Sequence, residues 1–273
     1  MTGGPGAYAH PLFDPLRPWL DRLPGRPDGQ ALAALAAALP VFTESGRPVR
    51  FVPPADDGLG YERRVWERGE VETRPDNWHD FFNALAWLAF PQAKAALNAR
   101  HLRGIAEAGG EPAPGQVRGH ARDAMTHFDE CGMAVLSSDP YLLDLLRGFQ
   151  WKTLFWERRA DVAGHMRFIV FGHATYEALL APFFGLTAKA ILYSVEAACL
   201  AQAPDALHRE LDGWLARDLA AGAYDAPRAL QPVPLLGIPG AVAGNADPAY
   251  YDDTRQFRPG RRESGRSLAA TGV

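Results

Sequence analysis

Asn77-Trp78-His79-Asp80-Phe81-Phe82-Asn83-Ala84-Leu85-Ala86-Trp87-Leu88-Ala89-Phe90-Pro91 is the stretch whose reading decides the fold. From Trp78 to Phe90 the only formal charge is Asp80. A helix this apolar is covered on most sides, so its opening His, Asp and Asn must be paired or used. On a wheel of about 100° per residue, Asp76, His79, Asp80 and Asn83 fall in one arc. Trp78, Phe82, Leu85 and Ala89 form the opposite stripe. The polar arc does not continue along the helix, where Ala86, Trp87 and Phe90 occupy it. The polar group therefore points at something specific.

Upstream, residues 1–28 read as a Gly- and Pro-rich arm whose Leu12, Phe13, Leu16, Trp19 and Leu20 lie on the core. Gln30 to Leu39 reads as a short helix ended by Pro40. Val49 to Val52 reads as a strand, with a weaker one over Tyr61 to Trp66. Asp76 or Asn77 caps the opening helix. Pro91 then starts a second helix over about Gln92 to Ala106, and a loop at 109–115 leads to a third over about Gln116 to Phe128.

Downstream, Met133 to Leu136 reads as a strand, and Ser138-Asp139-Pro140 as the capped start of a helix through Leu146. Trp151 to Arg159 continues as helix or turn. Met166 to Phe171 reads as a strand feeding a helix that begins near His173. Ala190 to Val195 has strand composition, but its Ala-rich flanks favour helix. Pro204 to Ala220 is a helix with Leu207, Leu211, Trp214 and Leu215 on one face. Pro232 to Gly240 is too rich in Pro and Gly for regular structure, yet apolar, and reads as an extended strap. Residues after about Gly260 read as a disordered tail. The expected architecture is α+β, helix-dominant: one domain over residues 1–273 with an ordered core of about 11–259, a few short strands and a long irregular C-terminal strap.

The 273 residues carry 47% hydrophobic and 22% charged side chains, the proportions of an ordinary globular protein. A net charge of -4 gives no basic footprint for nucleic acid. Residues 1–10 lack the pattern of a signal peptide. Ala31 to Leu39 is far shorter than the roughly 20 residues of a membrane span. Cys131 and Cys199 have no Cys-x-x-Cys spacing and read as reduced thiols. The expectation is a cytoplasmic protein with neither nucleic-acid nor membrane partners.

Three polar clusters stand out. His79 and Asp80, with Asn83 to orient them, could act as acid and base or ligate a metal; they could equally form a buried capping network. In Arg122 to Glu130, Asp123, His127 and Glu130 share a helical face at spacings of four and three, which suits a divalent metal. Such a face can also simply be solvated. In Gly172-His173-Ala174-Thr175-Tyr176-Glu177, His173 and Glu177 sit one helical turn apart after a strand. The bland alternative is a helix start with a dipole-favoured carboxylate. Arg158, Arg159 and Arg167 could form an anion pocket near that turn, or pair with Asp129, Asp144 or Glu157. Phosphate-loop, dinucleotide and serine-nucleophile motifs are absent from the sequence. Asp129 and Glu130 would raise the pKa of Cys131, which argues against a nucleophilic thiol.

Residues 77–91, Lys-Ala-Ala-Leu-Asn-Ala-Arg-His at 94–101 and Arg-Asp-Ala-Met-Thr-His-Phe-Asp-Glu-Cys-Gly at 122–132 resemble the bacterial family known as domain of unknown function 3025. So do Arg-Phe-Ile-Val-Phe-Gly-His-Ala-Thr-Tyr-Glu at 167–177, Pro-Leu-Leu-Gly-Ile-Pro-Gly at 234–240 and Tyr-Tyr-Asp-Asp-Thr-Arg-Gln-Phe-Arg-Pro at 250–259. The resemblance spans about residues 11 to 259 and implies one continuous domain, but no activity. Similar proteins carry mainly apolar and small residues at the positions of His127 and Cys131, which shifts weight to Asp123, Asp129 and Glu130. The resemblance also makes the strap part of the fold, so that Asp252, Asp253 and Arg258 could reach the same pocket.

The working expectation is a small-molecule hydrolase in which His79, Asp80, Asp129, His173 and Glu177 converge as catalytic groups. Asn83, Arg122, Arg159, Arg167 and Tyr176 would bind substrate, with a divalent metal as candidate cofactor. The competing expectation is a non-catalytic binding or scaffold protein whose polar clusters are structural. Substrate, metal identity and oligomeric state are not legible.

Overall fold

The computed structural model describes residues 8–23, 27–107 and 120–260. The expected loop at 109–115, the start of the helix at 116 and the tail beyond 260 lie outside the described residues. The fold is α+β with helix dominant, as expected.

The arm forms a 3-10 turn over Pro11–Leu16 and helix α1 (Arg17–Leu20), burying Leu12, Phe13, Leu16 and Leu20. Helix α2 (Gly29–Ala38) starts where the Asp28 carboxylate accepts from the amides of Gln30 and Ala31. Strand β1 (Arg50–Val52) pairs in parallel with β2 (Glu70–Glu72), and helix α3 (Tyr61–Arg68) connects them. The strand expected over Tyr61 to Trp66 is therefore a helix. Its turns stack Tyr61, Arg64, Val65 and Arg68 at helical spacing, and Gly69 ends it at φ 68°. Arg64 is 1% exposed and meets Asp57, Glu70 and Glu72, tying the helix to the loop before it and to β2.

The opening helix is α4 (Trp78–Ala89), capped by the Asn77 side chain, which accepts from the Asp80 amide at 2.9 Å. Helix α5 (Pro91–Glu107) follows at once, and α6 (His120–Cys131) runs without a loop into β3 (Gly132–Ser137), buried at every position. Asp139 caps α7 (Pro140–Arg147), a π-helical turn covers Thr153–Glu157, and α8 (Arg159–His165) leads into β4 (Met166–Val170). Then come α9 (His173–Leu179), β5 (Thr187–Ser194), α10 (Ala197–Leu200), α11 (Pro204–Ala220) and β6 (Gln231–Pro234).

The four-stranded sheet has the order β4-β3-β5-β6, with β3 and β5 parallel and the outer pairs antiparallel. This corrects the helical reading of Ala190 to Val195. Pairing on both sides buries Ala188, Ala190 and Ile191 and overrides the local preference of their Ala-rich flanks. The strap too is more regular than expected at its start. β6 accommodates Pro232 and Pro234 because it lies at the sheet edge. Beyond it the strap turns through 3-10 segments, and the buried Asn245 amide donates to the carbonyls of Leu236 and Ile238 at 3.0 and 2.7 Å. Gly237 admits no side chain, since a Cβ there would meet the rings of Phe257 and Phe155. Among the described residues no helix is long and apolar enough to cross a membrane.

Helices α5 and α11 pack closely, and a buried carboxylate joins them. Asp212 of α11 is 2% exposed and accepts from the first free amides of α5, Gln92 at 3.0 Å and Ala93 at 2.9 Å. Those amides have no partner inside their own helix. Asp212→Ala should destabilise the fold by about 1–3 kcal/mol, because it strands the buried Ala93 amide and frees the partly buried Gln92 amide. Asp212→Asn, which keeps an acceptor oxygen, should cost less; urea denaturation of both variants checks the order.

Candidate functional site

The site is assembled by a tight approach of two main chains. β3 and β4 pair up to Met133 and Val170, and the amides of Phe171 and Gly172 both donate to the Gly132 carbonyl at 2.9 Å. A Cβ on Gly172 would collide with the backbone of Glu130, Cys131 and Gly132, and one on Gly132 would collide with Phe128. Two glycines are therefore needed where α6 ends and α9 begins. The approach sets Glu130, in the last turn of α6, beside His173, the first residue of α9. Helix α4 packs against α9 and brings His79 in from its own first turn.

The two imidazoles meet edge to face, centroids 4.5 Å apart, with Nε2 to Nε2 at 3.0 Å. Glu130 Oε1 is 3.9 Å from His79 Nε2, and Glu130 Oε2 is 3.8 Å from His173 Nε2. One ligand atom from each of His79, Glu130 and His173 lies within 4.8 Å of the others. Glu177, one turn along α9, puts Oε2 3.2 Å from His79 Nδ1. Asp129 puts Oδ1 3.8 Å from His173 Nδ1, a buried atom with no hydrogen-bond partner. His79 and Glu130 are partly exposed, Glu177 is exposed and His173 is buried, so the cluster opens to solvent on one side.

Tautomers follow from the carboxylates. Glu177 can only accept, so a neutral His79 carries its proton on Nδ1 and presents a lone pair at Nε2. The Asp129 carboxylate favours the same tautomer at His173. Two Nε2 lone pairs then face each other at 3.0 Å with Glu130 beside them, an arrangement that attracts a cation. If His173 instead donates from Nε2 to His79, its buried Nδ1 lone pair faces Asp129. With both rings neutral, neither metal-free arrangement satisfies every atom.

Behind the cluster lies a largely buried polar chain. Lys94 of α5, 3% exposed, donates to Asp129 Oδ1 at 2.5 Å and Asn83 Oδ1 at 2.9 Å. Asn83 Nδ2 in turn donates to the Tyr61 hydroxyl at 3.1 Å. Burial pushes the Asp129 carboxyl up, but the Lys94 ammonium more than offsets this and holds it below the ordinary range. Burial raises the carboxyl of Glu130, against the pull of His79. Burial lowers His173 to about 4, against the pull of Asp129. Burial and then Glu130 raise the Cys131 thiol, in keeping with its reading as a non-nucleophile.

Of the residues singled out from sequence, His79, Asp129, His173 and Glu177 come together, with Glu130 as the central carboxylate and Asn83 behind. Asp80 is adjacent in sequence but serves the fold instead, since both its carboxylate oxygens are held by Arg74, at 2.7 and 2.9 Å from the guanidinium. Tyr176 is fully buried, with its hydroxyl on the Val170 carbonyl. Arg159 is spent on Asn245 of the strap, and Arg167 on the carbonyls of Met166 and Leu200. Arg158 pairs with Asp161, so the expected anion pocket does not form. The face of Asp123, His127 and Glu130 splits, since His127 is exposed and only Glu130 enters the cluster. Asp252 and Asp253 pair with Lys152 and Arg255, while Arg258 is held along the strap by its own carbonyl, which accepts from Trp151. Arg122 lies within electrostatic reach of Glu62. The sequence gives no sign of Lys94, Tyr61 and Glu62, because a lone lysine in an Ala-rich helix reads as solvated.

His173 gives the site a pH signature. Its folded pKa lies below the unfolded value, so it supports the fold fully above about pH 6.5 and progressively less as pH falls toward 4. In EDTA-treated protein, wild type should lose on the order of 3 kcal/mol relative to His173→Asn across that window. Denaturant titrations at pH 7.5 and 4.0 check it; a pH-independent difference contradicts the burial of a neutral imidazole.

The comparisons with known proteins place the chain without naming a reaction. No curated protein and no solved structure matches it. One family's sequence profile covers residues 49–261, which span β1 to the strap and every residue of the cluster. The chain belongs to that family, described as Protein of unknown function (DUF3025).

Proposed function

We propose that the protein is a metal-dependent hydrolase of small molecules, with a divalent ion held by His79 Nε2, His173 Nε2 and the Glu130 carboxylate. The observation that carries this reading is the pair of Nε2 atoms 3.0 Å apart, facing each other beside Glu130. An ion with nitrogen–zinc bonds of about 2.0–2.1 Å would bridge the pair from one side, off the line that joins the two atoms. Two histidines and one carboxylate leave coordination positions open for water and substrate. The outer carboxylates match the usual support of metal-bound imidazoles: Glu177 holds His79, and Asp129 faces His173.

The ion would lower the pKa of a bound water toward neutrality and polarise the substrate's carbonyl or phosphoryl oxygen. On this reading Glu177, exposed at the rim, takes the proton through the carboxylate oxygen that His79 does not hold. Asp129 stays ionised because Lys94 balances it, so the electron-rich side of the site persists despite its poor access to solvent. The same donor set also suits ferrous iron in oxygenases, so the identity of the bound ion discriminates between reaction classes.

Protein purified without a polyhistidine tag should contain about one zinc, manganese or iron ion per chain by elemental analysis. EDTA should lower the melting temperature in proportion to binding linkage. Glu130→Gln and His79→Ala should each weaken the metal by about tenfold to a hundredfold or more, as loss of a ligand exceeds loss of an outer partner. Metal-free protein that takes up none of the three ions, with melting unchanged by EDTA, contradicts the proposal.

A further inference from the structure

The buried polar face of α5 extends beyond the cluster. Lys94, Asn98 and His101 follow at spacings of four and three, each no more than 6% exposed. Lys94 is satisfied by Asp129 and Asn83, but Asn98 is not. Its Nδ2 donates to the Glu62 carbonyl at 3.0 Å and to Glu62 Oε2 at 2.6 Å. The Glu62 backbone carbonyl can only accept, so the amide orientation is fixed by chemistry, with nitrogen toward Glu62 and oxygen away. Asn98 Oδ1 is thereby left buried with no partner, although the residue is only 4% exposed. An acceptor stranded in this way destabilises the fold unless something donates to it.

Beside it stands Glu62, a carboxyl that burial pushes up to about 7 despite the Asn98 bond and the cations Lys94 and Arg122. Glu62 and Tyr61 are half-buried, so this end of the seam is reachable from solvent. The seam runs on through Tyr61, Asn83, Lys94 and Asp129 to His173, by the contacts already described. The groups left wanting are both acceptors, a carboxylate and an amide oxygen. They suit a ligand rich in N–H donors and positive charge, and they repel an anion.

We propose that Glu62 and Asn98 form a binding subsite for an amino or guanidino head group of a small molecule. On the metal-hydrolase reading, this head group is the handle that selects the substrate; that extension rests on the reading, whereas the binding itself does not.

The test uses full-length, EDTA-treated protein, so that failure of the metal reading cannot imitate failure of this one. Butylguanidinium and butylammonium serve as probes, with pentanoate and butanol as matched controls, followed by saturation-transfer NMR and calorimetric titration. The cationic probes should bind and the controls should not. Glu62→Gln, which preserves shape, should weaken binding about tenfold or more, the worth of one charge-assisted hydrogen bond. Asn98→Ala should weaken it as well, and His79→Ala should leave it unchanged. Metal uptake by Glu62→Gln should match wild type. Absence of binding by wild type, equal binding of pentanoate, or undiminished binding by a folded Glu62→Gln overturns the proposal.

Discussion

The backbone contact between Gly132 and Gly172 is the constraint on which the site depends. A side chain at Gly172 would meet main chain and one at Gly132 would meet Phe128, so the junctions α6–β3 and β4–α9 could not close. Because they close, the last turn of one helix and the first residue of another lie side by side. Glu130 and His173 are thereby set by the sheet register and not by a mobile loop. A site carried on element ends is held more rigidly than one on loops. The third contributor, His79, is fixed by the apolar packing of α4, whose Phe81 and Phe82 are fully buried.

A second theme is the treatment of charge inside an apolar body. Lys94 and Asp129 form a largely buried pair in which the lysine also donates to Asn83, so neither ion is left bare. Buried pairs of this kind add little net stability. Their value here is positional: Asp129 remains an anion facing His173, and that anion selects the tautomer that turns the Nε2 lone pair toward His79. The polar seam behind the cluster thus connects fold and chemistry, because the groups that hold α3, α4, α5 and α6 together also set the electrostatics of the imidazoles.

Much of this was legible in the sequence where local chemistry decides the outcome. Asn77 and Asp139 announce their helices as caps, and the near-complete burial of α4 follows from its composition. The clusters at 77–83, 122–130 and 172–177 were legible as polar islands, and four of the five expected catalytic residues do meet. What was not legible depends on tertiary pairing. Ala190 to Val195 becomes a strand only because β3 and β6 flank it, and Tyr61 to Trp66 becomes a helix because it closes a β1–β2 crossover. Asp80 looks as reactive as its neighbour His79 until Arg74 is seen to hold it. Arg159 looks like an anion ligand until the strap, distant in sequence, brings Asn245 to it.

The central claim is that His79, His173 and Glu130 share one ion. Anomalous diffraction at the absorption edge of the bound metal, from crystals of untagged protein, tests it directly. A single strong peak is expected bridging the two Nε2 atoms, off the line that joins them and about 2.0–2.1 Å from each for zinc, with a Glu130 oxygen in the coordination sphere. A peak ligated by other residues, or His79 and His173 joined by their own hydrogen bond in protein crystallised with saturating metal, would contradict it.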